Sequence, residues 1–162
     1  MKIWIDADSC PVKIREIIEN AAIRTSTPLV LVANRKIPHR KSGIITDVIV
    51  EEGPDSADNY ILEFAGEFDI VITRDIPLAH ELVQRNVSVI NDRGSSYTRE
   101  NIGERLSIRN IMLVMRESGL KINEETSFSL KDIQNFANTF DSLLTKRIKL
   151  YKGSSADIKE TD

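Results

Sequence analysis

The chain has 162 residues, 41% of them hydrophobic, one cysteine and a formal net charge of -3. These values fit a single α/β-sized domain over residues 1–150, and they exclude an internal disulfide framework and a wholesale basic surface. No apolar run is long enough to cross a bilayer, so the expectation is a cytoplasmic protein with no membrane partner.

Ile3-Trp4-Ile5 forms a short apolar strand that stops at Asp6-Ala7-Asp8, just before a helix carrying Ile14, Ile17, Ile18 and Ala21 on one face and ending near Arg24. Leu29 to Ala33 is a continuous apolar run, the pattern of a strand covered on both faces. A basic loop, Asn34 to Lys41, leads to a third strand over Ile44 to Val50. Gly53-Pro54 breaks the chain, and Asp55 or Ser56 is placed to cap a helix over Ala57 to Ala65. Asp69 to Thr73 reads as a fourth strand, Ile76-Pro77 opens a helix to about Arg85, and Val87 to Ile90 supplies a fifth strand. From its N-cap Thr98, a long helix carries Ile102, Leu106, Ile108, Met112 and Met115 as a core stripe before Ser118-Gly119. Lys121 to Phe128 reads as a polar connector, and a last helix places Ile133, Phe136, Ala137, Phe140 and Leu144 on one face. Residues 151–162 have the composition of a flexible polar tail. Strands and helices alternate, which predicts a parallel α/β sheet with right-handed crossovers.

The chemistry lies in the acids. Asp6 and Asp8 end the first strand, Asp58 begins the helix after the third, Asp75 follows the fourth and Asp92 the fifth, so all five belong to one end of the sheet. In the order 3-2-1-4-5, Asp6 and Asp75 flank the switch point where such sheets bind ligands. Hard oxygen donors without a His or Cys cluster favour Mg²⁺ or Mn²⁺ over zinc. Simpler roles compete: Asp8 or Ser9 as a helix cap, Asp55 and Asp58 as cap and dipole partner, Asp92 as a turn residue. Asp6 is the hardest to explain that way, because a strand-end acid costs stability unless something pairs with it.

The blocks IWIDADSCPVK, LVAN, ADNYI, DIVITRDIPLA and NDRGSSYTRENIGERLSIRN resemble the YaiI/YqxD family of uncharacterised bacterial proteins from Lys2 to about Lys146. That family resembles the PIN-like nuclease superfamily. The resemblance implies a three-layer PIN-like fold with a central parallel sheet of about five strands, and metal-dependent RNA hydrolysis. Carried over by position, Asp6, Asp8, Asp58 and Asp75 are the catalytic acids and, with Asp92, the ligands of Mg²⁺ or Mn²⁺. Arg35, Lys36, His39, Arg40 and Lys41, with Arg93 and Arg99, are the basic residues expected to steer an RNA strand.

Two other classes fit part of the pattern. A strand ending in Asp-x-Asp also opens haloacid-dehalogenase-type phosphatases, with Thr73 in the place of their second motif, but no matching downstream lysine and acidic pair follows. A binding module without turnover would keep the same pocket for RNA, a nucleotide or a metal. Cys10, at a helix start, is expected to have a lowered pKa, although Cys10 and Arg15 are too close for a cysteine-phosphatase loop. The apolar face of the last helix is equally compatible with packing in cis or with a homo-oligomer.

Overall fold

A computed structural model describes residues 1–121 and 127–157. The elements are β1 (Ile3–Asp6), α1 (Val12–Thr25), β2 (Leu29–Ala33), β3 (Ile45–Ile49), α2 (Ser56–Phe64), β4 (Ile70–Ile72), α3 (Ile76–Gln84), β5 (Ser88–Ile90), β6 (Ser96–Tyr97), α4 (Arg99–Glu117) and α5 (Leu130–Asp157). They build one six-stranded sheet in the order β3-β2-β1-β4-β5-β6. The first five strands pair in parallel and β6 runs antiparallel to β5.

Strand alternation sorts the core into two layers. Ile3, Ile5, Leu29, Leu31, Ile70 and Ile72 point to one face, where Ile14 and Ile18 of α1 meet Phe136, Phe140 and Leu144 of α5. Trp4, Val30, Val32, Val71 and Val89 point to the other, against Ile61 of α2, Leu78 and Leu82 of α3 and Ile102 of α4. This is the expected three-layer α/β arrangement. Asp69 locks the start of the sheet: its buried carboxylate accepts the Lys2 and Gly66 backbone N–H groups and the Trp4 indole N–H, at 2.6, 2.9 and 2.8 Å.

Four features depart from the expectations. β6 is an added strand, only two residues long, held by Val89–Tyr97 and Ile90–Ser96 pairing. Asp55 takes the left-handed backbone at the N-cap of α2 (φ 63°) and makes no side-chain cap bond, which leaves its carboxylate outside the helix.

Beyond Ile102 and the half-buried Leu106, the predicted core stripe of α4 is open: Ile108, Met112 and Met115 are all exposed. The causes are direction and length: Ile108, Met112 and Met115 sit on the side of α4 turned away from Ile102 and Leu106. At 1.5 Å per residue, 19-residue α4 is about 28 Å long and 9-residue α3 beneath it about 14 Å, so the C-terminal half of α4 runs past its support.

α5 continues through residues 151–157, where the composition predicts a tail. The Tyr151 ring packs edge-on against Phe68, and the Ser154 and Ser155 hydroxyls donate back to the Tyr151 carbonyl. Most of the predicted connector, residues 122–126, and residues 158–162 of the predicted tail lie outside the described residues.

Candidate functional site

Because β1 neighbours both β2 and β4, the chain reverses its direction of sheet growth between β1 and β4. The crevice beyond the carboxyl ends of those strands is the ligand position in this kind of sheet. The same alternation that sends Trp4 to the α2–α3 face sends Asp6 there, toward the start of both helices.

Neither first-strand acid caps α1, whose N-cap is Pro11 with no side-chain bond. The Asp6 carboxylate instead accepts the Ser9 hydroxyl at 3.1 Å. Asp8 accepts the Asn34 backbone N–H at 2.8 Å and lies 3.6 Å from the Arg35 guanidinium. Asp75 does cap its helix, accepting the Leu78 N–H through Oδ1 at 2.6 Å, while its own N–H donates to the Thr73 hydroxyl. That use of Thr73 is a turn contact.

The acids line adjoining depressions. Asp6, Asp8, Asp55 and Asp58 border a cleft of about 150 Å³. Asp55, Asp58, Asp75, Glu81 and Arg109 border a second of about 270 Å³. Asp58 belongs to both, which joins the β1 and β4 sides. Burial pushes the Asp58 carboxyl up to about 7, with the charges of Asp75, Asp6 and Asp55 adding to the rise. Burial also raises Asp6, and Asp8 and Asp75 add to the rise against the lowering effect of the Ser9 bond. These acids are therefore mutually repelling carboxylates.

Asp92 stands apart. It is buried, and its carboxylate is taken by the Arg74 guanidinium, with Nε at 2.6 Å and Nη2 also in contact. The turn there is made by Asn91, whose side-chain oxygen accepts the N–H groups of Arg93 and Ser95. Cys10 corrects the expectation of a lowered pKa: burial first, then the Asp92 charge, pushes its thiol up to about 12, so it is no ready nucleophile.

The predicted basic residues divide. Arg35 is at the site through Asp8 and is largely exposed, as is Lys36 beside it. The rest of the loop runs toward the opposite end of the sheet to start β3. There His39 bonds Asp47 at 3.0 Å, the Arg40 N–H donates to Glu19, and Lys41 is exposed. Arg93 is paired with Asp132 at 2.8 Å and covers the Phe128 ring, tying down α5. Arg99 donates to the Val83 and Gln84 carbonyls at the end of α3.

The arginines that do face the acids were not singled out from sequence. Arg105, Arg109 and Arg116, together with Arg74, Ile108, Met112 and Leu113, line a groove of about 480 Å³ that reaches Asp75. Arg109 borders this groove and the acidic cleft alike. Their spacing, four and then seven residues, puts all three on one helical face, a signal readable once α4 is placed.

Among the described residues no group of three or more acid, histidine or cysteine side chains stands ready to hold a metal ion. In donor chemistry Asp6, Asp58 and Asp75 nonetheless fit a hard divalent cation: all are carboxylates, and their mutual repulsion would be relieved by positive charge. No helix among the described residues is long and apolar enough to cross a membrane.

Fold and site define a parallel α/β protein with an acidic crevice at its switch point. The chain belongs to the uncharacterised YaiI/YqxD family, whose model matches residues 4–146. It is 48% identical over 149 residues to a UPF0178 protein of Treponema denticola, covering 92% of this chain and 95% of that one. It is 46% identical to a UPF0178 protein of Geobacter metallireducens (92% and 96% covered) and 45% identical to one of Pseudoalteromonas atlantica (91% and 100% covered). No solved structure matches the chain at a significant level.

The raised Asp58 pKa has a measurable consequence in metal-free buffer. Between its ordinary value near 4 and about 7, the folded state holds a proton that the unfolded chain releases. Stability therefore falls as pH rises through that window, and the cost is fully present above it. Asp58→Asn is expected to melt higher than wild type at pH 8, by the equivalent of about 1–2 kcal/mol after solvent screening, with the advantage gone below about pH 4. Calorimetry across this range, with chelator present, checks both sign and window.

Proposed function

We propose that the protein is a divalent-cation-dependent phosphodiester hydrolase acting on RNA, with Mg²⁺ or Mn²⁺ held by Asp6, Asp58 and Asp75. The observation that carries this reading is the row of Asp6, Asp58 and Asp75 along two adjoining depressions at the switch point, joined by Arg109 to a groove lined by arginines. Acids supply the cation site and the arginines a phosphate site beside it. A bound Mg²⁺ or Mn²⁺ lowers the pKa of a water and neutralises charge at phosphorus. Asp6 and Asp75 are held in place by Ser9 and by the first turn of α3, so their free oxygens are oriented before ligand arrives. Asp8, between Asn34 and Arg35, is placed to support the β2 side of the cleft rather than to bind first. Asp92 is spent on Arg74 and is given no ligand role.

Calorimetric titration with Mn²⁺, followed by hydrolysis of a fluorescent single-stranded RNA with and without chelator, tests the reading. The expected result is saturable Mn²⁺ binding and cleavage that chelator abolishes. RNA binding with no cleavage under any cation would reassign the site to a non-catalytic module. Chelator-resistant release of phosphate from a monoester, with a phosphate mimic trapped at Asp6, would instead favour the phosphatase reading.

A further inference from the structure

The exposed half of α4 presents Ile108, Ile111, Met112 and Met115 at 43, 59, 40 and 42% exposure, with Val114 beside them. The first four fall at i, i+3, i+4 and i+7, the spacing of a helix–helix seam. They lie on the side of α4 turned away from Ile102, the residue that anchors the helix to the core.

We infer that this seam is the interface of a homodimer, in which α4 of a second copy packs antiparallel against it. Three properties select a second copy as the occupant. The first is area: Ile108, Ile111, Met112, Val114 and Met115, each about half exposed, present on the order of 450 Å² of apolar surface, in the upper range of what a monomer leaves open and more than half of the ~800 Å² per partner of a stable interface. The second is charge. From Asn110 to Met115 the helix has no ionisable residue, matching the charge-depleted centre of homodimer interfaces, whereas an RNA backbone or a basic or acidic partner would need charge there. The third is symmetry. An uncharged apolar row can meet an antiparallel copy of itself through the same residues on both sides, as an isologous two-fold contact requires. The Arg105–Arg109–Arg116 row flanks the seam, and Ile108 and Met112 belong to both the seam and the arginine groove, so the interface takes up one wall of the groove that reaches Asp75.

Sedimentation equilibrium of the full chain tests this independently of any activity. Wild type is expected to be dimeric at about 100 µM, and Ile111→Glu with Met115→Glu to weaken association at least a hundredfold, giving a monomer with an unchanged circular dichroism spectrum. Because both positions are exposed in the monomer, the substitutions do not disturb its own core. Leu130→Glu, at an 85% exposed position on α5, is the control expected to leave the dimer intact. A wild-type monomer at that concentration, a dimer that survives the double substitution, or a dimer lost with Leu130→Glu instead would each overturn the assignment.

Discussion

Asp6→Asn is expected to lower Mn²⁺ affinity and metal-dependent RNA hydrolysis by at least about a hundredfold, since loss of even an outer-shell partner costs ten- to a hundredfold and Asp6 is placed as a direct ligand. The substitution keeps the size of the side chain and a carbonyl oxygen for the Ser9 hydroxyl, so the loop after β1 retains its shape. What changes is charge. Asp6 contributes to the upward push on Asp58, so the variant should also bring the Asp58 pKa down from about 7. Removing a negative charge next to the arginine groove should leave RNA binding undiminished or tighter, while cleavage is lost. That split between binding and turnover separates loss of a metal ligand from general damage. Single-turnover hydrolysis and Mn²⁺ titration on the same preparation measure it, and cleavage by the variant at the wild-type rate in Mn²⁺ would remove Asp6 from the mechanism.

The largest stability effect is expected at Gly94. It sits in the turn between β5 and β6 with φ +86°, a backbone region that side chains rarely adopt, and α5 crosses directly over it. A Cβ there would stand 2.7 Å from the Asn135 carbonyl carbon and oxygen and 2.8 Å from the Phe136 nitrogen. These are backbone atoms, so no rotamer change relieves the overlap. Either the turn or the helix must move, and moving the helix loosens the fully buried Phe136, Phe140 and Leu144. Gly94→Ala is expected to cost about 4 kcal/mol, combining the strained φ with lost core packing, and to lower Tm by roughly 10–15 °C. Gly103→Ala, in α4 with nothing within 4 Å of the added carbon, is the matched control and should be neutral or slightly stabilising. Scanning calorimetry of the two variants decides it; a Gly94→Ala protein melting within a few degrees of wild type would mean that α5 is not seated on the turn.

Several parts of the fold and the site are legible in the sequence. β2 was readable to the residue, because five consecutive apolar side chains have no other stable place than a sheet covered on both faces. Asp6 and Asp8 could be placed at a strand end, and Thr98 as a cap, for reasons confined to a few neighbouring residues: the Thr98 hydroxyl accepts the Asn101 N–H while the Asn101 side chain accepts the Thr98 N–H. The arginine row was hidden for a different reason. Arg93 and Arg99 looked equivalent to Arg105 and Arg109 in sequence, yet the first two are spent on Asp132 and on the α3 carbonyls, and only the others reach the groove.

The order and type of the main elements and the presence of acids at strand ends follow from the sequence alone, because periodicity and capping act over one or two turns of chain. Tertiary structure decided which acids meet. Asp6 and Asp58 line one depression and Asp58 and Asp75 the next, while Asp92 is withdrawn by Arg74, eighteen residues away. It also decided that half of α4 would be open, since that depends on the length of the helix beneath it and on which side of α4 meets the core. Charge and burial act through space over a few ångströms, and only the path of the sheet brings residues some fifty to seventy positions apart within that range.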